Sequence, residues 1–207
     1  MKENSERSIA VGVFLSAKEL SPKYTKPAVE FGRLLVKNGY RFVYGGSEVG
    51  LMKVVADIVD ETGGEIIAVS TELFKDICRK NASEVILTKT ISERKNTMLD
   101  RSDAVVTLSG GTGTLDEVTE IIELRKNNLH DKPIVFLNVG GFWNGLETQL
   151  KKMEKEGFLF KPLDQLVYFA TSPQDAIDYL NAHFSQKERT SSSEAKQVVV
   201  VVPEKTE

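Results

Sequence analysis

The chain has 207 residues, 41% apolar and 28% charged, with a formal net charge of −3. That length and apolar share suffice for one sizeable core, and the charge gives no global attraction to nucleic acid or to an anionic membrane. A single cysteine, Cys78, excludes an internal disulfide framework, and His130 and His183, the only histidines, are too few for a Cys/His zinc cluster.

The N-terminus is polar and lacks the apolar core of a signal peptide. No apolar run nears the roughly 20 residues that span a bilayer. Both features read as a cytoplasmic protein with no membrane or nucleic-acid partner. The first apolar run, 9–15, predicts a buried strand. A helix follows over 22–38, ended by Gly39, a residue suited to a left-handed cap. Strand 41–44 leads into Gly45-Gly46, and helix 50–62 into Gly63-Gly64. Next come a strand over 65–69, a short helix over 73–80 and a strand over 84–88. A helix over 92–101 takes Ser92 as its N-cap and precedes a strand over 104–108. Helix 114–127, strand 134–138, helix 144–156, strand 166–169 and helix 173–184 complete the series.

Repeated strand–helix alternation predicts one doubly wound, Rossmann-like α/β domain over 1–184, a parallel sheet with helices on both faces. Ligands of such sheets lie at the carboxyl ends of the strands, so the loops that follow strands carry the information. Residues 185–207 read as a disordered tail. Its valine run at 198–202 reads as a chance apolar patch, with a strand added to a sheet edge as the alternative.

Ser109-Gly110-Gly111-Thr112-Gly113-Thr114 stands between a predicted strand and a predicted helix. Glycines let the backbone approach a ligand. The helix start offers unpaired N–H groups and a positive dipole end, and the threonines add hydroxyl donors, so a phosphate fits there without a lysine. The run is neither a Walker loop nor a GxGxxG fingerprint. Glu117 lies one turn into the helix, close to whatever is joined to a bound phosphate; the alternative is an acid that merely stabilises the positive helix end, a role open to Asp116 too. Arg94 and Lys95 sit at a helix start, where the dipole disfavours cations, which points to an anionic partner; a solvated charged face is the alternative. Tyr44-Gly45-Gly46-Ser47-Glu48-Val49-Gly50-Leu51-Met52 makes a second glycine-rich wall at the same sheet edge.

Taken in order, these three segments resemble the LONELY GUY family of cytokinin riboside 5'-monophosphate phosphoribohydrolases, often labelled lysine decarboxylases. The family pattern GGG-x-x-GLMG, ERK and PGG-x-GT-x-x-E is matched by Gly45-Gly46-Ser47-Glu48-Val49-Gly50-Leu51-Met52-Lys53, Glu93-Arg94-Lys95, and Ser109 through Glu117. The resemblance implies cleavage of a nucleoside 5'-monophosphate to a free base, adenine-type or N6-substituted, and ribose 5-phosphate. It implies Arg94 and Glu117 as catalytic residues. Gly110, Gly111, Thr112, Gly113, Thr114, Gly45, Gly46, Met52 and Lys95 fall on phosphate- and nucleotide-binding positions. It requires no metal or redox cofactor. It also implies a homodimer, with partial support from the apolar side chains of Val118, Ile121, Ile122 and Leu124.

Departures from the pattern fall on the pocket lining. Leu15-Ser16-Ala17-Lys18 replaces a Cys-Gly-Ser-Ser-like loop that lines the nucleotide pocket in the family, and Ser47, Lys53, Ser92 and Ser109 replace a glycine, a glycine, a histidine and a proline. The rival reading is a non-catalytic nucleotide or molybdenum-cofactor carrier with similar glycine loops. Such carriers have Arg-Asn where this chain has Arg94-Lys95, which favours the hydrolase.

Overall fold

A computed structural model describes residues 8–195. Seven parallel strands form one sheet: β1 Ala10–Phe14, β2 Arg41–Tyr44, β3 Ile66–Thr71, β4 Glu84–Thr88, β5 Ala104–Thr107, β6 Ile134–Leu137 and β7 Tyr168–Ala170, in the order β4-β3-β2-β1-β5-β6-β7. The chain builds outward from β1 to the β4 edge, then returns to lay β5 against the other side of β1. In register, Val11 faces Phe42 of β2 and Ala104 of β5. The reversal makes the carboxyl ends of β1 and β5 the switch point, where a crevice opens in sheets of this kind.

Period-two alternation within the strands feeds two cores. Val11, Val13, Phe42 and Tyr44 pack under α1 (Pro22–Lys37), α2 (Gly50–Glu61) and α7 (Pro173–Ala195). Ala10, Phe14, Val43, Val105, Ile134 and Phe136 pack under α3 (Ile91–Asp100), α4 (Thr112–Lys126), α5 (Asn144–Lys155) and α6 (Leu163–Leu166). Strands covered on both faces read as continuous apolar runs, as β2 does; β4, at the sheet edge, alternates instead, with Val85 and Leu87 exposed, and both strands keep the expected boundaries.

The structure changes several expected details. The segment after β3 is a 3-10 turn over Glu72–Ile77, and α6 is an added turn before β7. The N-cap of α3 is Thr90, not Ser92: the Thr90 hydroxyl accepts the Glu93 N–H at 3.1 Å, and the Glu93 carboxylate accepts the Lys89 N–H at 2.8 Å. This is a threonine and a glutamate three residues apart, the capping-box spacing. Helix α7 runs to Ala195, past the expected end at Phe184. The valine run at 198–202 lies outside the described residues. Val118 and Ile121, offered as dimer contacts, are buried in this chain's own core, with Ile122 and Leu124 packed against it. Among the described residues no helix is long and apolar enough to cross a membrane.

Candidate active site

At the switch point lies a cleft of about 300 Å³. Its walls are the loop after β1 (Leu15, Ser16, Ala17, Lys18), Ser47 and Met52 after β2, Phe74 and Ile77 after β3, Arg94 of α3, and Gly111, Thr112, Gly113, Thr114 and Glu117 of α4. A cavity of about 600 Å³ opens elsewhere, between Arg125, His130 and Lys161. It is the larger of the two, but it lies far along the chain from the glycine loops, at the end of α4, and holds none of the expected site residues.

Helix α4 begins at Thr112, earlier than the expected Thr114, with Gly111 as an extended N-cap whose residue type offers no side-chain acceptor. Its first-turn N–H groups have no intrahelical acceptor. A Cβ on Gly111 or Gly113 would meet nothing within 4 Å, so backbone there is open to the cleft. Gly110 is different: a Cβ would lie 2.1 Å from the Thr114 hydroxyl, so only glycine lets Thr114 fold back over the loop. The start of α2, by contrast, is occupied. Its Leu51 and Met52 N–H groups donate to the Lys18 and Ser16 carbonyls at 3.1 and 3.2 Å, which docks the first loop against the second. Of these two helix starts, α4 is the one presented to the cleft.

The sequence singled out Glu117, with Asp116 equal to it only as a helix-stabilising acid, and the two differ in the fold. Glu117 is 6% exposed and lines the cleft, while the Asp116 side chain is 61% exposed. Arg94, also buried, donates from Nη1 to Glu117 Oε1 at 2.8 Å and from Nε to the Val69 carbonyl at 3.0 Å. A Cβ on Gly45 would lie 1.7 Å from Arg94 Nη2, so the glycine makes room for the guanidinium. Arg94 is thereby fixed on three sides. Burial pushes the Glu117 carboxyl above the usual glutamate range, and the Arg94 guanidinium opposes that push without cancelling it.

Lys95 does not line the cleft. It pairs with Asp116 at 2.9 Å and with Glu120, ties that hold α3 to α4. Burial lowers its pKa, but those two carboxylates more than reverse the effect. Within the chain, the carboxylates that meet the cations of α3 belong to α4. Gly45, Gly46 and Gly110 shape the walls without lining them, whereas Arg94, Glu117, Met52, Gly111, Thr112, Gly113 and Thr114 converge. The loop Leu15-Ser16-Ala17-Lys18 borders the cleft, as does Ser47, both departures from the family pattern; Phe74 and Ile77, which sequence reasoning did not select, border it too. The available signal was an apolar pair in a short turn next to the glycine-rich wall.

Fold and site together define a Rossmann-like α/β protein with its cleft at the topological switch point, opening on a helix N-terminus beside a buried Arg–Glu pair. Residues 52–180 match the family described as "Possible lysine decarboxylase". "Cytokinin riboside 5'-monophosphate phosphoribohydrolase LOG1" of Arabidopsis thaliana is 32% identical over 174 residues, covering 83% of this chain and 82% of the relative. "Probable cytokinin riboside 5'-monophosphate phosphoribohydrolase LOGL2" of Oryza sativa subsp. japonica is 34% identical over 171 residues, covering 82% and 70%. The chain belongs to this LONELY GUY, lysine-decarboxylase-like family. A molybdenum cofactor binding protein from Rippkaea orientalis superposes with a TM-score of 0.68 over 87% of this chain and 99% of its own, at 23% identity, a likeness of fold alone.

Proposed function

We propose that this chain is a nucleoside 5'-monophosphate phosphoribohydrolase that releases a free base, adenine-type or N6-substituted, and ribose 5-phosphate. One observation carries the reading: Glu117 is buried and clamped by Arg94 inside the cleft, one helical turn beyond the open start of α4. A phosphate on the first-turn N–H groups, with the Thr112 and Thr114 hydroxyls, sets the attached ribose over that carboxylate. As the N-glycosidic bond breaks, its electron pair leaves on the base, which takes up a proton. Positive charge grows on the sugar, water oxygen bonds to the anomeric carbon, and that water gives up a proton. A fixed negative charge beside the anomeric carbon favours this transition state over the ground state. Arg94 orients Glu117 and favours its ionised form against burial. The curated relatives named for this reaction support the assignment. Solved neighbours near 20% identity that bind molybdenum cofactor share the fold, and that likeness carries no function.

A homodimer accompanies this reading. Its apolar contacts would come from exposed side chains beside the cleft helices, Ile91 at 46% and Leu115 at 38% exposure. Sedimentation showing only monomer at micromolar concentration would remove that part.

The activity is tested by incubating the protein with a panel of nucleoside 5'-monophosphates and quantifying released base and ribose 5-phosphate. Stoichiometric release of both supports the proposal. Tight binding of several monophosphates with no cleavage would make the chain a nucleotide-binding protein instead.

A further inference from the structure

The turn that brings Phe74 and Ile77 to the cleft has little apolar anchorage. None of the residues Glu72–Ile77 is buried, and Leu73 is 71% exposed. What secures this segment is the residue just beyond it, Arg79, whose side chain is 4% exposed. Arg79 Nη1 donates to Glu48 at 2.9 Å and to Asp57 at 2.7 Å, and Nη2 donates to Asp60 at 2.7 Å. Lys53 joins the group through Asp57 at 2.5 Å. Burial raises the Asp57 pKa, yet hydrogen bonds from Arg79 and Lys53 more than offset this and hold it low. Backbone ties run alongside: the Arg79 N–H donates to the Gly46 carbonyl and the Glu48 N–H to the Ile77 carbonyl, both at 2.7 Å, while Cys78 pairs with Ser47. Asp57 and Asp60 belong to α2 and Glu48 to the glycine-rich wall, so one guanidinium staples three separate pieces of chain.

Neither Arg79 nor its three carboxylate partners borders the cleft. We infer that Arg79 is a positioning residue for the nucleotide. It holds Phe74 and Ile77 in place before binding, as an apolar wall against which the base packs. This inference rests on the nucleotide reading above. A wall already ordered costs nothing to order at binding, whereas a loose one takes that cost from affinity. The phosphate cradle and the Arg94–Glu117 pair stand on α3 and α4, so loosening the wall weakens binding while leaving the bond-breaking groups in place.

The test compares Arg79→Met, Glu48→Gln, Phe74→Ala and the double variant Arg79→Met/Phe74→Ala. Melting by circular dichroism establishes that each is folded at the assay temperature. Kinetics and calorimetric affinity are measured with the monophosphate that the wild type cleaves best. Arg79→Met is expected to raise KM and Kd roughly tenfold with kcat within about threefold, the signature of lost binding common to ground and transition states. The double variant should be no worse than the weaker single one, because both substitutions remove the same contact. Glu48→Gln loosens only one tie and should raise KM in the same direction by less, which keeps the test open if Arg79→Met does not fold. A folded Arg79→Met or Glu48→Gln with wild-type KM would overturn the inference, as would multiplicative effects in the double variant or a loss confined to kcat. If wild type turns over and the Arg79 variants match it, this assignment alone fails. If wild type neither binds nor cleaves any monophosphate, the nucleotide reading fails and takes this inference with it.

Discussion

Glu117→Gln keeps the shape of the side chain and an acceptor for Arg94 while removing one charge. The carboxylate is 6% exposed, with Arg94 at 2.8 Å, so solvent screens it little. A unit charge about 4 Å from a developing charge, at an effective dielectric constant near 20, is worth about 4 kcal/mol. Removal of a single electrostatic contact of this kind costs about 10²–10³ in rate. The expected result is therefore a fall in kcat by that factor with little change in KM. Stability at neutral pH should fall as well, because glutamine leaves the buried Arg94 guanidinium without its counter-charge. Because burial raises the Glu117 pKa in the folded chain, the unfolded chain releases this proton first as pH rises, near the ordinary glutamate value of about 4.3. Between that pH and the higher folded value the native state holds more protons, so stability falls as pH rises across the window. A neutral glutamine at this position removes that pH dependence. The wild-type rate should climb through an apparent pKa above the usual glutamate range, and that rise should be absent in the residual activity of Glu117→Gln. Steady-state kinetics across pH, with melting curves on the same samples, provide the assay. Wild-type turnover by Glu117→Gln would refute the reasoning and return Asp116 to consideration.

Gly113→Val fills open space at the phosphate cradle, so affinity for a monophosphate should fall at least about tenfold by calorimetry; a β-branched residue in the first turn should cost folding less than about 1 kcal/mol. Gly45→Ala puts a methyl group where Arg94 Nη2 lies, and displacement of the guanidinium should lower kcat by about 10² while the phosphate affinity holds. His130 is held in one neutral tautomer: Nε2–H donates to the Ile121 carbonyl at 2.9 Å and Nδ1 accepts the Lys132 N–H at 3.2 Å. Burial first, and the nearby cations after it, depress its pKa, so below about pH 6.5 the unfolded chain takes up this proton before the native one does. Stability should therefore drop as pH falls through about 6.5, and His130→Gln should flatten that slope in denaturant titrations.

Much of this architecture was legible because strands covered on both faces must be apolar throughout, and because the glycine and threonine run after Thr107 has few other uses. Local sequence placed Glu117 on the face of the helix start but could not exclude that it, like Asp116, only stabilises the helix end. Adjacent helical positions differ by about 100° in direction, and only the placement of α3 across from α4 decides which one is buried. Lys95 illustrates the same limit: its charge suggested a ligand, and its partners are Asp116 and Glu120 from a helix more than twenty positions away. Ser92 and Thr90 are both competent caps by type. The deciding feature was the spacing of Thr90 to Glu93. Phe74 and Ile77 stayed hidden because an apolar pair in a short turn reads as ordinary core until the turn is seen to end at the cleft.

The central claim is that the start of α4 holds the phosphate and thereby sets the sugar beside Glu117. A crystal structure of Glu117→Gln with an intact nucleoside 5'-monophosphate tests it most directly. The account predicts phosphate oxygens within hydrogen-bond distance of the Gly113 and Thr114 N–H groups, and the anomeric carbon next to residue 117. A phosphate found only at the Gly45-Gly46 loop, with the sugar turned away from α4, would contradict it.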